Sequence, residues 1–390
     1  MSVYVLLDSQ RVVYERVLTE VRKATQRPRK KTIVLVRGGP GTGKSVVALQ
    51  LLGDLNREGI GTMHATGSSA FTSNLRKLLG RNSESVLRYF HNFGRLTPST
   101  LDCLILDEAH RIRQTSNLQY TAAVLRTDKA QVRELADAAK VSVFFIDDLQ
   151  IVRPKEVGSA ELVRQTARDI SAELLEYELE AQFRCGGSEG YVNWIDNTLG
   201  IRDTPNVMWN HSDPYEFRIV DSVQDLEAII RRQNTNGDTA RLVAGYCWRW
   251  SKPDKDGQLL PDVEVDNWKM PWNAKPDASR LARGIPKAIY WASDPNGINQ
   301  VGCVYTAQGF EFDYAGVIFG PDLVYDPNTA SWVGNKKASY DRTVKTAKTS
   351  EHFVKLVQNT YRVLLTRGMK GCYVYFMDAN TRNFFKSRMQ

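Results

Sequence analysis

Residues 38–45 read Gly-Gly-Pro-Gly-Thr-Gly-Lys-Ser, and this short stretch constrains the fold of the chain more than any other. It fits the pattern Gly-x-x-x-x-Gly-Lys-Ser, in which backbone N–H groups surround the phosphates of a nucleotide. An apolar run at 33–36 comes just before it, and an apolar-rich stretch at 46–55 follows it. A buried strand, a glycine loop and a helix in this order predict a nucleotide-binding α/β domain.

All eight loop residues are expected to bind the nucleotide: Gly38, Gly39, Pro40, Gly41, Thr42, Gly43, Lys44 and Ser45. We expect Lys44 to reach the β and γ phosphates of ATP and Ser45 to coordinate Mg²⁺. A glycine-rich turn that arises by chance is the alternative. The predicted strand and helix on either side of the loop argue against it.

A second predicted strand ends in two acidic residues. Residues 101–106 are mostly apolar and lead directly into Asp107 and Glu108. In a sheet that also carries a phosphate loop, we expect Asp107 to bind Mg²⁺ and Glu108 to orient or polarise the attacking water. The start of a surface helix is the alternative for these acids alone. A third predicted strand, 141–146, leads to Gln150, whose amide is expected to contact the γ-phosphate. Together these residues predict nucleotide hydrolysis.

The composition is that of a folded enzyme with two domains, since 42% of the 390 residues are hydrophobic and 25% are charged. The five cysteines are scattered and form no C-x-x-C pair, which argues against a disulfide framework or a zinc site. We expect no signal peptide, because the apolar stretch at 3–7 is short and has no basic region before it, and we find no apolar run long enough to cross a bilayer. We therefore expect a cytoplasmic monomer with no membrane partner.

The net charge of +8 is concentrated near the C-terminus. Residues 331–390 contain seven Lys and five Arg against three acidic residues, a formal charge of +9. Such an excess is typical of a surface that binds nucleic acid. A solvated basic face that keeps the protein soluble explains the charge equally well.

The order of these features resembles that of superfamily 1 helicases, and further segments extend the resemblance. Gln10, in the first turn of a predicted helix, matches the glutamine with which these enzymes read adenine, although an ordinary capped helix explains it as well. Residues 64–72 occupy the place of the first motif that contacts nucleic acid. Residues 181–185, Ala-Gln-Phe-Arg-Cys, are similar to a motif whose aromatic ring stacks on the base and whose arginine reaches the γ-phosphate. The resemblance implies these roles for Phe183 and Arg184, with a surface charge as the alternative for the arginine.

Two segments near the C-terminus resemble further helicase motifs. Residues 305–313, Tyr-Thr-Ala-Gln-Gly-Phe-Glu-Phe-Asp, are similar to the motif in which threonine contacts the nucleic-acid backbone. In that motif the glycine approaches the phosphates and the glutamate holds the ribose, which implies these roles for Gly309 and Glu311. Residues 361–368 resemble the last motif, whose arginine acts on the γ-phosphate. Arg367 is the residue implied, with Arg362 as the second choice.

Within the superfamily, the sequence is most similar to the Schlafen-type helicase-like group. The similarity lies in Asp-Asp-Leu-Gln at 147–150, in the following run at 151–158 and in Gly-Tyr-Cys-Trp at 245–248. Many members have histidine where Tyr305 stands here, so the resemblance implies no preference between DNA and RNA. Relatives often carry an additional N-terminal domain, sometimes a nuclease. This sequence shows no nuclease constellation, so we expect either a motor that serves a separately supplied nuclease domain or effector, or a fragment of a longer protein.

The resemblance implies two tandem RecA-like P-loop NTPase domains of α/β class, with parallel sheets and the nucleotide in the cleft between them. We place domain 1 at residues 1–180 and domain 2, with the arginine fingers, at 181–390. The boundary follows a helix that we predict across four glutamates: Glu173, Glu176, Glu178 and Glu180.

Domain 2 contains a tryptophan-rich insertion around 245–300. Its tryptophans stack on bases or, as the composition favours, pack the insertion together. Because polar or turn residues flank Trp250 and Trp272, we expect these two side chains to be the exposed pair.

The sequence therefore predicts an ATP- and Mg²⁺-dependent translocase or helicase that moves on single-stranded DNA or RNA. Two alternatives stay open. One is an ATP-gated module that binds nucleic acid without unwinding it. The other is a P-loop ATPase that remodels proteins, although such an enzyme does not account for residues 306–313.

Overall fold

The computed structural model describes residues 6, 8–26, 30–117, 121–179, 189–210 and 215–390. Two compact units divide the chain. The first comprises Met1–Ile151 and Lys155–Gln182, and the second comprises Val152–Pro154 and Phe183–Gln390. Each unit contains one central parallel sheet.

The first unit is built on a six-stranded sheet in which every neighbouring pair of strands is parallel. Its strands are β1 (Thr32–Gly38), β2 (Thr62–Thr66), β3 (Leu87–Tyr89), β4 (Leu101–Asp107), β5 (Ala139–Ile146) and β6 (Glu173–Leu179). The spatial order is β3-β2-β4-β5-β1-β6. The strand before the glycine loop and the strand that ends in acidic residues are therefore separated by one strand, β5. The strands predicted at 33–36, 101–106 and 141–146 are confirmed.

Helices cover both faces of this sheet, as a parallel sheet requires. They are α1 (Asp8–Gln26), α2 (Lys44–Arg57), α3 (Ser69–Leu79), α4 (Gln131–Ala138) and α5 (Ala160–Asp169). Alternate residues of β1 point to opposite faces. Ile33 and Leu35 pack in one core with residues of α4 and α5, while Val34 and Val36 pack in another with residues of α1 and α2.

The helix predicted across the glutamates at 173–180 is wrong, because Glu173–Leu179 form the edge strand β6, parallel to β1. Its side chains alternate with the period of a strand. Leu175 and Tyr177 pack against the core, whereas Glu176 and Glu178 are exposed. Glu176 accepts hydrogen bonds from Arg164 of α5, which gives the exposed face of the strand a charged partner.

The second unit is built on a five-stranded sheet, again with only parallel pairs. Its strands are β7 (Glu216–Ile219), β8 (Ala240–Ala244), β11 (Val301–Gly302), β12 (Phe312–Phe319) and β15 (Gly368–Phe376), in the order β11-β8-β12-β15-β7. Two antiparallel hairpins are formed by β9 (Val263–Val265) with β10 (Trp268–Met270) and by β13 (Leu323–Asp326) with β14 (Ser331–Gly334). The helices are α6 (Glu189–Thr198), α7 (Val223–Thr235), α8 (Val304–Ala307), α9 (Ser350–Leu365) and α10 (Ala379–Ser387).

The tryptophan-rich stretch packs inside the second unit. Trp272 is 1% exposed and stacks on Tyr246 at a centroid distance of 5.8 Å, so the prediction that Trp272 is exposed is wrong. Trp250 is half-buried rather than exposed as predicted, and its indole N–H donates to the carbonyl of Asn273 at 2.6 Å. The buried indole of Trp291 donates to the carbonyl of Gly297 at 3.0 Å. Because these indole N–H groups have acceptors inside the unit, the rings can be buried at little cost. These contacts support the packing role.

Four cysteines are buried free thiols: Cys103, Cys247, Cys303 and Cys372. Cys185 lies outside the described residues. Among the helices of the described ranges, none has the length and apolar character needed to cross a membrane.

Candidate nucleotide-binding and hydrolysis site

The glycine loop joins β1 to α2 through a tight turn. Gly41 and Gly43 have left-handed backbone conformations, with φ of 80° and 78°, which favour glycine. The hydroxyl of Thr42 donates to the carbonyl of Gly39 at 3.1 Å and closes the turn. Gly43 is the N-cap of the 14-residue helix α2. The loop therefore leads into a helix N-terminus, where unpaired backbone N–H groups attract an anion.

Lys44 lies folded over this loop. Its side chain is 7% exposed, and Nζ donates to the carbonyls of Gly38 at 2.8 Å and Gly39 at 2.6 Å. The ammonium charge is thus held at the turn, close to the N-terminus of α2. Ser45 follows it in the first turn of the helix and is half-buried.

Gln10, from α1, packs against the same loop. Its side chain is buried, and Nε2 donates to the carbonyl of Thr42 at 3.0 Å. A Cβ atom added to Gly43 would lie 2.2 Å from that nitrogen. Gln10 is therefore fixed beside the loop, while its role in reading adenine stays a prediction.

Strand register brings the two acidic residues to the edge of the sheet that carries the loop. Phe144 of β5 lies opposite Leu35 of β1 on one side and Leu106 of β4 on the other. Gly38 and Asp107, the last residues of β1 and β4, therefore lie at the same edge, where the carboxyl ends of parallel strands meet.

Asp107 is buried with one carboxylate oxygen unsatisfied. Its side chain is 1% exposed, and Oδ1 accepts a hydrogen bond from the backbone N–H of Glu108 at 2.9 Å. Oδ2 has no hydrogen-bond partner within the described residues and lies 3.7 Å from Nε2 of His64. A buried oxygen without a partner is costly, and a bound cation would remove that cost.

The unsatisfied oxygen of Asp107 is compatible with the predicted magnesium site, for which Ser45 is the other expected ligand. In the described ranges, no group of three or more His, Cys, Asp or Glu side chains is placed to hold a metal ion. Mg²⁺ in nucleotide sites usually takes one or two protein ligands and completes its shell with water and phosphate oxygens. Two protein ligands are therefore enough here.

Glu108 is held as a carboxylate in a strained turn. Its backbone is left-handed, with φ of 55° and ψ of 41°, which is uncommon for a residue with a side chain. Oε2 lies 3.2 Å from Nε2 of His110 and 3.3 Å from Nε of Arg111. Burial raises the pKa of the Glu108 carboxyl, but His110, Arg111 and Lys44 lower it more, so the net pKa lies below the ordinary value. A carboxylate of low pKa is better suited to orient and polarise water than to take up a proton.

Gln150 lies just beyond β5, at the same edge of the sheet. Its side chain is buried, and Nε2 donates to Oδ2 of Asp147 at 2.9 Å. Asp147 also caps the short turn at Asp148–Gln150 by accepting from the N–H of Leu149. The structure thus places Gln150 just after the carboxyl end of β5, and the contact of its amide with a γ-phosphate stays a prediction.

Arg367 lies close to two other residues of the second unit that are expected to bind the nucleotide, Gly309 and Glu311. Arg367 is buried, with Nε donating to the carbonyl of Val363 at 2.9 Å and Nη1 to that of Phe310 at 3.2 Å. Phe310 stands between Gly309, which has φ of 93°, and the exposed Glu311. Arg367 therefore joins the end of α9 to the Gly309–Glu311 turn.

Arg362, the second choice for the arginine that acts on phosphate, has a different position. It is buried in an ion pair with Asp196, which Nε and Nη2 both contact. Arg202 binds the same carboxylate at 2.7 Å. Arg362 is thus part of the structural core between α9 and α6.

Thr306 and Tyr305 are likewise engaged within the second unit. The buried hydroxyl oxygen of Thr306 lies 3.0 Å from both Oδ1 of Asn273 and the carbonyl oxygen of Cys303, and it donates its one hydrogen to one or the other. The contact with a nucleic-acid backbone that the resemblance implies for Thr306 is therefore not favoured by this arrangement. The hydroxyl of Tyr305 donates to the carboxylate of Asp341.

The family model of the Schlafen group 3, DNA/RNA helicase domain matches residues 31–378. The chain belongs to this family. The resemblance to Schlafen-type helicases is thereby confirmed, and with it a helicase-like P-loop NTPase fold.

Individual proteins similar to this Schlafen group 3 domain are more distant. An uncharacterized protein of Saccharomyces cerevisiae is 25% identical, over 97% of this chain and 89% of that protein. The solved Pif1 helicase of Candida albicans is 11% identical with a TM-score of 0.39, over 98% of this chain and 99% of that chain. AMPPCP-bound DnaA of Aquifex aeolicus is 14% identical with a TM-score of 0.26, over 52% and 56%. The family assignment rests on the family model.

The structure of the Schlafen group 3 domain also reveals supporting residues that sequence reasoning missed. A Cβ atom added to Gly158 would lie 2.0 Å from the carbonyl oxygen of Ala109, so only glycine fits against the acidic turn. The neighbouring N–H of Val157 donates to the carbonyl of Ile112 at 2.8 Å. In the sequence, residues 151–158 support only the family resemblance. Gly158, which ends this run, is the sequence feature that indicates close packing against the acidic turn.

Phe183 and Arg184, the predicted base-stacking and γ-phosphate residues, lie outside the described residues. Their roles stay predictions.

Proposed function

We propose that this Schlafen group 3 domain hydrolyses ATP with Mg²⁺ and couples hydrolysis to movement along single-stranded DNA or RNA. One observation carries the proposal. A phosphate loop, a buried aspartate with an unsatisfied oxygen and an ionised glutamate lie along one edge of the first sheet. This combination supplies what phosphoryl transfer to water needs, which is phosphate binding, charge neutralisation and a positioned nucleophile.

Each residue has a distinct chemical task in the proposed reaction. The loop N–H groups and Lys44 bind the phosphates, and Lys44 exchanges its carbonyl partners for phosphate oxygens. Ser45 and Asp107 would hold Mg²⁺, which neutralises developing charge on the phosphates when bound. Glu108 orients the attacking water, and its low pKa keeps it ionised near neutral pH.

Other residues are proposed to complete nucleotide recognition. Gln10 reads adenine, and Phe183 stacks on it. Glu311 holds the ribose and Gly309 approaches the phosphates. The γ-phosphate is proposed to be contacted by three more residues: Gln150, Arg184 and Arg367.

Two substitutions test the hydrolytic site. Glu108→Gln is expected to retain ATP binding and to stop turnover, because the amide cannot polarise water as the carboxylate does. Lys44→Ala is expected to weaken ATP binding itself. Nucleotide titration and steady-state ATPase assays separate the two effects.

Glu176→Gln is the matched control for the charge change at Glu108. Glu176 makes the exposed ion pair with Arg164, a type of pair that contributes about 0–1 kcal/mol. The Glu176→Gln substitution should leave both ATP binding and turnover nearly unchanged. An undiminished steady-state rate in Glu108→Gln would refute the role of Glu108.

Coupling to movement needs a separate assay. ATP-dependent displacement of a labelled strand from a tailed duplex is expected of a helicase. If single strands stimulate ATP hydrolysis but no strand is displaced, the domain is a translocase or an ATP-gated binding module that does not unwind.

A further inference from the structure

The basic charges near the C-terminus are distributed unevenly over the second unit. After residue 355, most are neutralised or buried. Lys370 pairs with Asp238 at 2.6 Å and Asp313 at 3.1 Å, and Arg382 pairs with Asp221. Arg362 and Arg367 are buried, as described above. These cations contribute little to an external surface.

The stretch of residues 336–355, here named the basic segment, is different. It contains six cations: Lys336, Lys337, Arg342, Lys345, Lys348 and Lys355. All except the half-buried Lys336 are exposed. Within the part of the chain that the structure describes, no ion pair joins any of the six to an acidic side chain.

The two acidic residues of the basic segment do little to offset its charge. Asp341 is buried, and its carboxylate accepts hydrogen bonds from the hydroxyl of Tyr305 and from the backbone N–H groups of Thr343 and Val344. Glu351 is exposed in the first turn of α9. The exposed surface of the segment therefore carries five cations against one acid.

The basic segment is held in place by hydrogen bonds to backbone carbonyls. Nζ of Lys336 donates to the carbonyl of Ala347, and Nζ of Lys345 donates to that of Ser339, each at 2.9 Å. The N–H of Tyr340 donates to the carbonyl of Tyr246 at 2.7 Å. The backbone that carries the cations is therefore held in a defined position, which reduces the freedom that the segment loses when a ligand binds.

Tyr340 lies between these cations in the sequence, after Lys337 and before Arg342. Its side chain is 52% exposed, and it is the only aromatic residue among the large exposed hydrophobic side chains of the described ranges. An exposed ring within a run of basic residues is typical of surfaces that bind single strands, where a base stacks on the ring and phosphates contact the cations. A duplex, whose bases are already stacked, has no use for such a ring.

We propose that the basic segment, which includes Tyr340, is a contact surface for single-stranded nucleic acid. The inference rests on the proposed function and extends it, because it assigns part of the binding of the strand to residues outside the family motifs. DNA and RNA share the phosphates and stacked bases that this surface recognises.

The charge part of the proposal is tested with Lys337→Gln/Arg342→Gln/Lys348→Gln. Affinity for labelled single-stranded DNA and RNA oligonucleotides is measured at several salt concentrations. For single strands each phosphate contact contributes about −0.7 to the slope of log K against log salt, so losing three contacts should make the slope about 2 units less steep. At low salt the affinity should fall by at least about tenfold.

Arg232→Gln/Arg283→Gln/Lys287→Gln is the matched control. These three side chains are exposed in the second unit outside the basic segment. Their substitution removes three positive charges, as many as the triple substitution in the basic segment removes. Affinity and salt slope should stay close to those of the unchanged protein. Equal losses in both triple variants would overturn the proposal, because only net charge would then matter.

Tyr340→Ala tests the stacking part, and Tyr340→Phe keeps the ring as its control. Tyr340→Ala should weaken single-strand binding about 5- to 100-fold at all salt concentrations, with duplex binding unaffected. Unchanged single-strand affinity would overturn the proposal. Thermal unfolding and ATP titration confirm that each variant is folded.

The test distinguishes this inference from the proposed function. If the unchanged protein binds neither polymer and its ATPase ignores both, the proposed function fails and the inference fails with it. If single strands stimulate the ATPase but the substitutions in the basic segment leave binding intact, only the inference fails. The polymer whose affinity depends more strongly on the segment identifies the preferred track.

Discussion

A methyl group on Gly43 has no room in the phosphate loop. The backbone of Gly43 is left-handed, with φ of 78°, and an added Cβ atom would lie 2.2 Å from Nε2 of Gln10. That nitrogen donates to the carbonyl of Thr42. Gly43→Ala therefore strains the backbone and displaces Gln10 from its hydrogen bond.

The expected loss of stability follows from these two effects. A left-handed conformation costs a residue with a Cβ atom about 1–2 kcal/mol. Loss of the bond from Gln10 to Thr42 costs about 1 kcal/mol. The free energy of unfolding of the first unit should fall by about 2–3 kcal/mol. ATP affinity should fall by about tenfold or more, because the strained loop must still form to bind phosphate.

Denaturant unfolding and ATP titration measure these losses. Gly39→Ala is the matched control for stability, because a Cβ atom there meets nothing within 4 Å and its φ is not in the left-handed region. It should change the free energy of unfolding by less than about 0.5 kcal/mol.

A double-mutant cycle with Gln10→Ala isolates the steric part. The two losses should be less than additive, since removing the Gln10 side chain removes the clash. Equal destabilisation by Gly43→Ala and Gly39→Ala, or full additivity with Gln10→Ala, would refute this account of the loop.

Three further predictions concern the surroundings of the site. Arg362→Met removes one partner of the buried Asp196 and should lower the free energy of unfolding of the second unit by about 3 kcal/mol, measured in urea, with ATP affinity intact; normal stability with lost turnover would instead make Arg362 a catalytic residue. Gly158→Ala places Cβ 2.0 Å from the carbonyl oxygen of Ala109 and should lower kcat more than ATP affinity, because it shifts the turn that carries Glu108; an unchanged kcat would count against this. The pKa of Glu108 lies below its ordinary value of 4.5, so the stability that its charge contributes is present above that value and is lost as pH falls through the lower, folded-state pKa. In a ¹³C NMR titration, with Glu108→Gln identifying the signal, its carboxyl resonance should titrate with a midpoint below 4.5, and a midpoint at or above 4.5 would contradict the lowered pKa.

The sequence predicts best where consecutive residues determine the geometry. A phosphate loop at 38–45 needs a strand before it and a helix after it, and the apolar residues at 33–36 and 46–55 predict both elements. Asp107 and Glu108 end a strand of the same sheet, so parallel pairing alone brings them to the edge that carries the loop. Gly43 and Gly158 show the limit of this reasoning, because the atoms that exclude a side chain at each position come from distant parts of the chain.

The wrong predictions arose where local pattern and tertiary packing disagree. The glutamates at 173–180 suggest a helix, yet Leu175 and Tyr177 alternate with Glu176 and Glu178 at the period of an edge strand. Polar neighbours of Trp272 suggested exposure, but Tyr246 and two other tryptophans surround its ring. The pairing of Arg362 with Asp196 spans 166 positions and leaves no local signal.

Steady-state ATPase activity, with and without single-stranded DNA or RNA at two salt concentrations, tests the central claim most directly. The proposed function predicts ATP hydrolysis that depends on Mg²⁺ and Glu108. It also predicts that single-stranded DNA, RNA or both stimulate this hydrolysis strongly at low salt and weakly at high salt. Hydrolysis that is indifferent to both polymers, or that survives in Glu108→Gln, would contradict it.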